Sequence, residues 1–161
     1  MTATSGLLRV YYAASHLPEY LAPALDLLLR VFLAQVFFKS GLTKIQNWDS
    51  TLYLFNEEYH VPLFSPQWAA WLATGAELLL PVLLVLGLFG RFAAGGLFIV
   101  NLVAVVAYYA GLSEAGLNQH LYWGMLLAVL LAISRSAWSV DAWLERRLST
   151  SVPAGKGVAT Q

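Results

Sequence analysis

The chain has 161 residues, 59% hydrophobic and 11% charged, with a mean hydropathy of +0.65. Soluble domains carry about 25% charged residues, so charge this sparse cannot wet the surface of a 17.7 kDa globule, and lipid is the solvent that fits. Nine basic and nine acidic residues cancel, which excludes the basic footprint of a nucleic-acid partner. Cysteine is absent, which excludes disulfides, thiol catalysis and cysteine-held zinc or iron–sulfur clusters. Redox chemistry would need a bound organic cofactor, a quinone, or a metal held by His and carboxylates.

Residues 1–20 hold one arginine, Arg9, and a broken apolar run, Leu7-Leu8 then Val10-Tyr11-Tyr12. They read as an interfacial segment rather than a cleaved signal peptide, because the first span supplies its own insertion signal. Four apolar runs follow, at about 21–45, 68–89, 92–112 and 120–133. Each approaches the roughly 20 residues that cross the hydrocarbon core as a helix, though the fourth is short unless it continues to Trp138. Only Gly90 and Arg91 separate the second from the third, which demands a tight hairpin and antiparallel neighbours. The fold class expected is all-α: an integral membrane four-helix up-down bundle over 21–136, with interfacial terminal helices. Residues 137–148 mix Trp138 and Trp143 with Arg146 and Arg147 and read as an amphipathic surface helix. The tail 149–161, with Pro153, Gly155 and Gly157, is expected to be disordered.

Lysine and arginine in the flanks set orientation. Arg9, Arg91, Arg135, Arg146, Arg147 and Lys156 fall on one side of the bundle. The other holds Lys44 with Asp49, Glu57, Glu58, His60 and Glu114. Both termini are therefore expected in the cytoplasm, and the protein in a bacterial inner membrane. The 46–67 connection carries Trp48, Tyr53, Phe55, Tyr59 and Phe64, punctuated by Pro62 and Pro66. It reads either as an aromatic anchor at the interface or as a lid over a site.

Ionisable groups inside spans carry the functional signal, since an unpaired charge in hydrocarbon costs several kcal/mol. At about 100° per residue, Asp26, Arg30, Phe37, Gly41 and Lys44 share one stripe of the first span, while Gln35 and Lys39 lie opposite. Asp26 and Arg30 stand one turn apart and can pair. Glu77 sits mid-span and needs a cation or a proton. Arg30, Lys39 and Lys44 are the candidates, and depth alone does not choose. Pro81, four residues on, removes the helical donor of the Glu77 carbonyl. The third span adds Asn101 and, two turns further on the same face, Tyr108; Gly95 and Gly96 permit close approach of a neighbour. The fourth carries Gly124, Ala128 and Ala132 as a small-residue packing face. His60 and His120, on one side with Glu57 and Glu58, form a donor set that a divalent ion accepts, but their spacing matches no ligand pattern, and no metal is assigned.

The run Leu29-Arg30-Val31-Phe32 through Phe37-Phe38-Lys39-Ser40-Gly41-Leu42-Thr43-Lys44-Ile45 resembles the opening helix of DoxX-like membrane proteins. Glu77, Pro81 and Leu86-Gly87-Leu88-Phe89-Gly90-Arg91-Phe92-Ala93-Ala94 resemble that family's second helix and hairpin. The resemblance implies a four-helix bundle similar to the quinone-reducing membrane subunits of thiosulfate oxidation, or to members linked to oxidative- and metal-stress systems. Arg30, Lys44 and Glu77 match the family's recurring polar residues, His120 less closely. Without cysteine the chain cannot itself relay sulfur.

A candidate intramembrane polar pocket thus comprises Arg30, Lys44, Glu77, Asn101 and Tyr108, with Lys39, His60 and His120 as weaker members. Three roles fit it. One is a quinone-interacting or accessory subunit of a membrane redox or stress-response system. Another is a non-enzymatic scaffold that recruits a partner protein, and the third a small oligomeric transporter. The partners implied are the lipid bilayer and a protein partner or a second copy of the chain.

Overall fold

A computed structural model of the protein describes residues 3–133 and 138–149, with side chains at Ser15 and from residue 21 onward. All regular structure among them is helical: α1 (Ala3–Gln46), α2 (Trp48–Glu57), α3 (Pro66–Leu86), α4 (Gly90–Ala107), a 3₁₀ turn (Tyr109–Gly111), α5 (Glu114–Ile133) and α6 (Val140–Ser149). Four segments are long and apolar enough to cross a membrane: Leu21–Gln46, Pro66–Leu86, Gly90–Ala107 and Glu114–Ile133. The chain is a four-helix membrane bundle. Many large apolar side chains face outward, among them Leu28, Phe92 and Ile133, which is the arrangement a lipid solvent requires.

The core lies where α1, α3, α4 and α5 converge, around Leu33, Phe37, Leu84, Leu97 and Leu127. Small residues set the spacing. A β-carbon on Gly41 of α1 would sit 2.9 Å from the Leu78 side chain of α3, and one on Gly96 of α4 would sit 2.7 Å from Leu80. Glycine at these positions brings the helices together where transmembrane association rests on close packing.

The α3–α4 hairpin turns earlier than the sequence suggests. Its pivot is Gly87, at φ +64, whose N–H reaches back to Leu84 O at 3.2 Å while Leu88 N–H reaches Leu83 O at 3.0 Å. This is the glycine-dependent helix stop that closes orphan carbonyls. Phe89 follows at φ 51, and α4 starts at Gly90.

Each end of this hairpin receives the charge that its helix dipole favours. Arg30 of α1 donates to Val85 O, one of the last carbonyls of α3, at 3.4 Å, and to Trp138 O at 2.9 Å. The Asp141 carboxylate of α6 accepts from Phe89 N and Gly90 N, both at 3.1 Å, and so caps the start of α4. Asp141 N in turn donates to Gly87 O at 3.2 Å. The α6 segment is therefore latched to the bundle end through backbone groups.

Three expectations need correction. The third span stops at Ala107, where the chain bends through Tyr108 into the 3₁₀ turn, and the fourth begins at Glu114 rather than near His120. Ser113 starts that helix: its hydroxyl accepts from Gly116 N at 3.1 Å, and Glu114 occupies the first turn. Gly124 is buried, but Ala128 and Ala132 are exposed, so the four-residue stripe is not the packing face; Leu127 and Leu130 turn inward instead. The 46–67 connection contains α2, capped by Asn47, whose side chain accepts from Ser50 N at 3.4 Å. Residues 134–137, on which the expected continuation of the fourth span to Trp138 falls, and the tail from 150 lie outside the described residues.

Candidate functional site

Lys44 lies in the last turn of α1 and Glu77 midway along α3, and the close approach at Gly41 sets them side by side. A β-carbon on Gly41 would lie 3.2 Å from that of Glu77. Lys44 Nζ stands 2.6 Å from Glu77 Oε2 and donates to Ser40 Oγ at 2.9 Å. Ser40 is one turn before Lys44, so three polar groups meet at a single point. The backbone of Lys44 is held as well: Thr51 of α2, itself buried, donates its hydroxyl to Lys44 O at 3.1 Å. Lys44 is thus the cation that answers Glu77. Lys39 faces outward, as its position on the helix wheel implies.

Beside this pair opens a cavity of about 810 Å³. Its polar lining consists of Ser40, Lys44, Tyr59, Glu77, Tyr108 and His120, and every other lining residue is apolar. The roof comes from the chain between α2 and α3. Tyr59 stacks edge-on between Phe55 and Tyr108, each at 4.9 Å between ring centroids, and His60 N donates to Ala107 O at 3.0 Å. Burial first, then neighbouring Tyr108 and the Glu58 and Glu77 carboxylates, push the Tyr59 phenol above its ordinary range. It stays neutral at physiological pH. The roof is braced from below by α2, whose Trp48 packs on Trp71 of α3 at 4.3 Å.

On the far wall, Asn101 and His120 form a two-point contact. Asn101 Nδ2 donates to His120 O at 3.0 Å, which fixes the amide's orientation and leaves Oδ1 as acceptor. His120 Nδ1, 2.9 Å from that oxygen, must then be the protonated nitrogen. In the neutral ring Nε2 remains an acceptor. Gly124 makes room for the amide, since a β-carbon there would lie 3.2 Å from Asn101 Nδ2. The His120 ring is further held edge-on to Trp123, at 5.0 Å.

The residues singled out from sequence therefore divide. Lys44, Glu77, Tyr108 and His120 line one cavity, with Asn101 behind His120 as its positioning partner. Arg30 does not join them. It is buried at the opposite end of the bundle, 2.8 Å from Asp26 Oδ2 and bonded to the hairpin and to Trp138. The stripe that groups Arg30 with Lys44 is real, but about 21 Å of helix rise separates them. His60 is exposed on the outer side of the roof, with Nδ1 3.2 Å from Glu58 O. Among the described residues no group of three His, Asp or Glu side chains could hold a metal ion. Sequence reasoning missed Ser40 and Thr51 as parts of the site, and met Tyr59 only within the lid reading of the 46–67 connection. Ser40 was detectable one turn from Lys44, whereas nothing local marks Thr51.

A family model described as DoxX matches residues 25–110. The chain belongs to the DoxX family. The match runs from the start of the first span, through Lys44, Glu77 and Asn101, to the end of the roof contact at Tyr108. An uncharacterized protein of Haemophilus influenzae is 31% identical over 128 residues, an alignment that covers 74% of this chain and 83% of the relative. No solved structure matches.

The ion pair makes a thermodynamic expectation. Lys44→Met or Glu77→Leu alone strands a charge against apolar walls, which costs about 3–5 kcal/mol when a buried pair is broken. The double variant should recover most of that loss. Thermal unfolding of the four proteins in one detergent measures the cycle, and additive single effects would show that the two side chains do not interact.

Proposed function

We propose that this DoxX protein is a quinone-interacting subunit of a membrane redox or stress-response system, and that the cavity holds the quinone head group. The observation that carries this reading is an apolar chamber inside a membrane bundle that ends on a single hydrogen-bonded ion pair. Lys44 would donate to a quinone carbonyl oxygen, an acceptor that keeps the ammonium partnered. Glu77 would hold that ammonium in place and pass on to the ring the proton that accompanies each electron. Tyr59, a neutral phenol at the roof, supplies a further donor. Electrons would be supplied by a partner protein, so the chain acts as an accessory or ligand-binding subunit.

The topology proposed with it places the α6 end of the bundle in the cytoplasm of a bacterium and the α2 end across the inner membrane. Arg91, Arg146 and Arg147 belong to the first end and Asp49, Glu57, Glu58 and Glu114 to the second. In this arrangement α6 lies along the membrane surface, while residues 3–20 continue the helix of the first span. Because the chain has no cysteine of its own, single cysteines report sidedness cleanly. Glu57→Cys should react with a membrane-impermeant maleimide in intact cells, and Arg147→Cys only after lysis; the reverse pattern inverts the topology.

The functional test is extraction of ligand from the protein purified out of native membranes in mild detergent. Wild-type protein should carry quinone near one per chain. Glu77→Gln, checked for insertion by its yield and melting temperature, should carry at least tenfold less. Folded wild-type protein that carries a partner protein and no quinone would remove this reading in favour of a scaffold.

A further inference from the structure

The cavity has an edge that opens to lipid rather than to water. Leu72 of α3 and Ile99 and Val103 of α4 line it. Yet these residues are 52%, 61% and 38% exposed on the outer surface of the bundle. A side chain can do both only where the cavity wall ends, so the chamber reaches the surface between α3 and α4. Below this gap the two helices touch, at Gly96 against Leu80. Above it the roof is tied to the end of α4 by the His60–Ala107 hydrogen bond. The gap between Gly96 and Ala107 is about 16 Å of helix, all of it within a membrane span.

An aromatic partition stands on the loop side. A second hollow of about 440 Å³ lies on the outer face of the roof. It shares Phe55, Tyr59, Val61, Pro62 and Phe64 with the inner cavity, so these side chains form the partition between them. The partition is held by the ring contacts of Tyr59 and contains the chain's left-handed Leu63, at φ 73. Leu63 and Phe64, which also line the cavity, are 98% and 52% exposed, so the opening extends along the edge of the roof.

Resting on the quinone reading above, we infer that the ligand is a long-tailed, bilayer-dissolved molecule whose head reaches Lys44 and Glu77 through the α3–α4 gap while its tail stays in that gap. The ligand class is set by the route. A head group arrives from hydrocarbon, so it must be uncharged, and it must offer an acceptor to the Lys44 ammonium. The tail needs a continuous apolar track, and Leu72, Ile99 and Val103 supply one from the chamber to the lipid. Water-soluble molecules meet the aromatic partition instead.

Filling the gap tests the inference. Val103→Trp places an indole across it, and Leu72→Trp does the same from α3. Val106→Trp, on the same helix but away from the cavity, is the control, and all three sites are exposed enough to accept the larger side chain. The probes are a dimethoxy-methyl-benzoquinone with a ten-carbon tail and the same ring without a tail. Binding is measured to protein in phosphatidylcholine nanodiscs against empty discs. Wild type and Val106→Trp should bind both, the tailed probe more tightly. Val103→Trp and Leu72→Trp should weaken the tailed probe at least tenfold, because its tail can no longer occupy the gap, and slow the entry of the tailless ring while changing its equilibrium affinity less than twofold. Equal binding of both probes by all four proteins would overturn the lateral route while leaving the quinone reading in place. Binding of neither probe by folded wild type would overturn the quinone reading and the route with it.

Discussion

A charge placed inside hydrocarbon must find its partner within the protein, and this constraint organises the whole bundle. The interior polar groups gather at two levels. At one end Arg30 is shared among Asp26, the last turn of α3 and the start of the α6 segment. Toward the other, Lys44 is shared between Glu77 and Ser40. Leu33 and Phe37 fill the same face of α1 between them. The first cluster directs both Nη groups of Arg30 to backbone and carboxylate acceptors, with Nε left unpaired, and packing around it makes a closed bolt. The second leaves its pair facing a cavity, and the result is a site. The same residue types thus yield structure at one level and a recognition surface at the other, and the difference is whether the surrounding volume is filled.

The roof and the far wall follow from that cavity. Thr51 binds the carbonyl of Lys44, so α2 cannot shift without moving the ammonium. Trp48 and Trp71 fix α2 on α3, and Tyr59 spans from α2 to Tyr108 at the end of α4. Opposite, Gly124 exists because the Asn101 amide needs its space, and Asn101 in turn sets the tautomer of His120. Gly41, Gly96 and Gly124 each mark a place where two helices, or a helix and a polar side chain, meet. Gly87 carries a second demand, its positive φ, with Arg30 Nη1 2.6 Å from where a β-carbon would stand. Replacing it would strain the turn and push against the bolt at once.

Much of this was legible in the chain. Four apolar runs and a nearly uncharged interior fix a membrane bundle, because length and polarity are one-dimensional properties. The stripe through Arg30, Phe37, Gly41 and Lys44 gives the inward face of α1 and the outward Lys39, since helical periodicity is local. What periodicity cannot give is height across the bundle. It grouped Arg30 with Lys44 although they serve opposite ends, and it could not choose the partner of Glu77. That choice depends on the register of α1 against α3, which the Gly41 contact sets. The start of α5 was misplaced for a similar reason: hydropathy ignores 114–119, whereas the Ser113 cap includes them in the helix. The roof was legible only as one of two readings, an interfacial anchor or a lid, because its aromatic residues carry no periodic signal over so short and proline-broken a stretch, and α2 within it is only 10 residues long.

The account rests on one contact, the Lys44–Glu77 pair at the closed end of the cavity, and solid-state NMR can observe it in bilayers. Protein carrying ¹⁵N at the lysine side chains and ¹³C at the glutamate carboxyls should show a strong dipolar coupling between Lys44 Nζ and Glu77 Cδ, removed in Glu77→Gln. Both resonances should move when a tailed benzoquinone is added. A Lys44 signal without that coupling, matching the exposed Lys39, would contradict the account, because the cavity would then end on an unpaired carboxyl and hold no donor for a ligand.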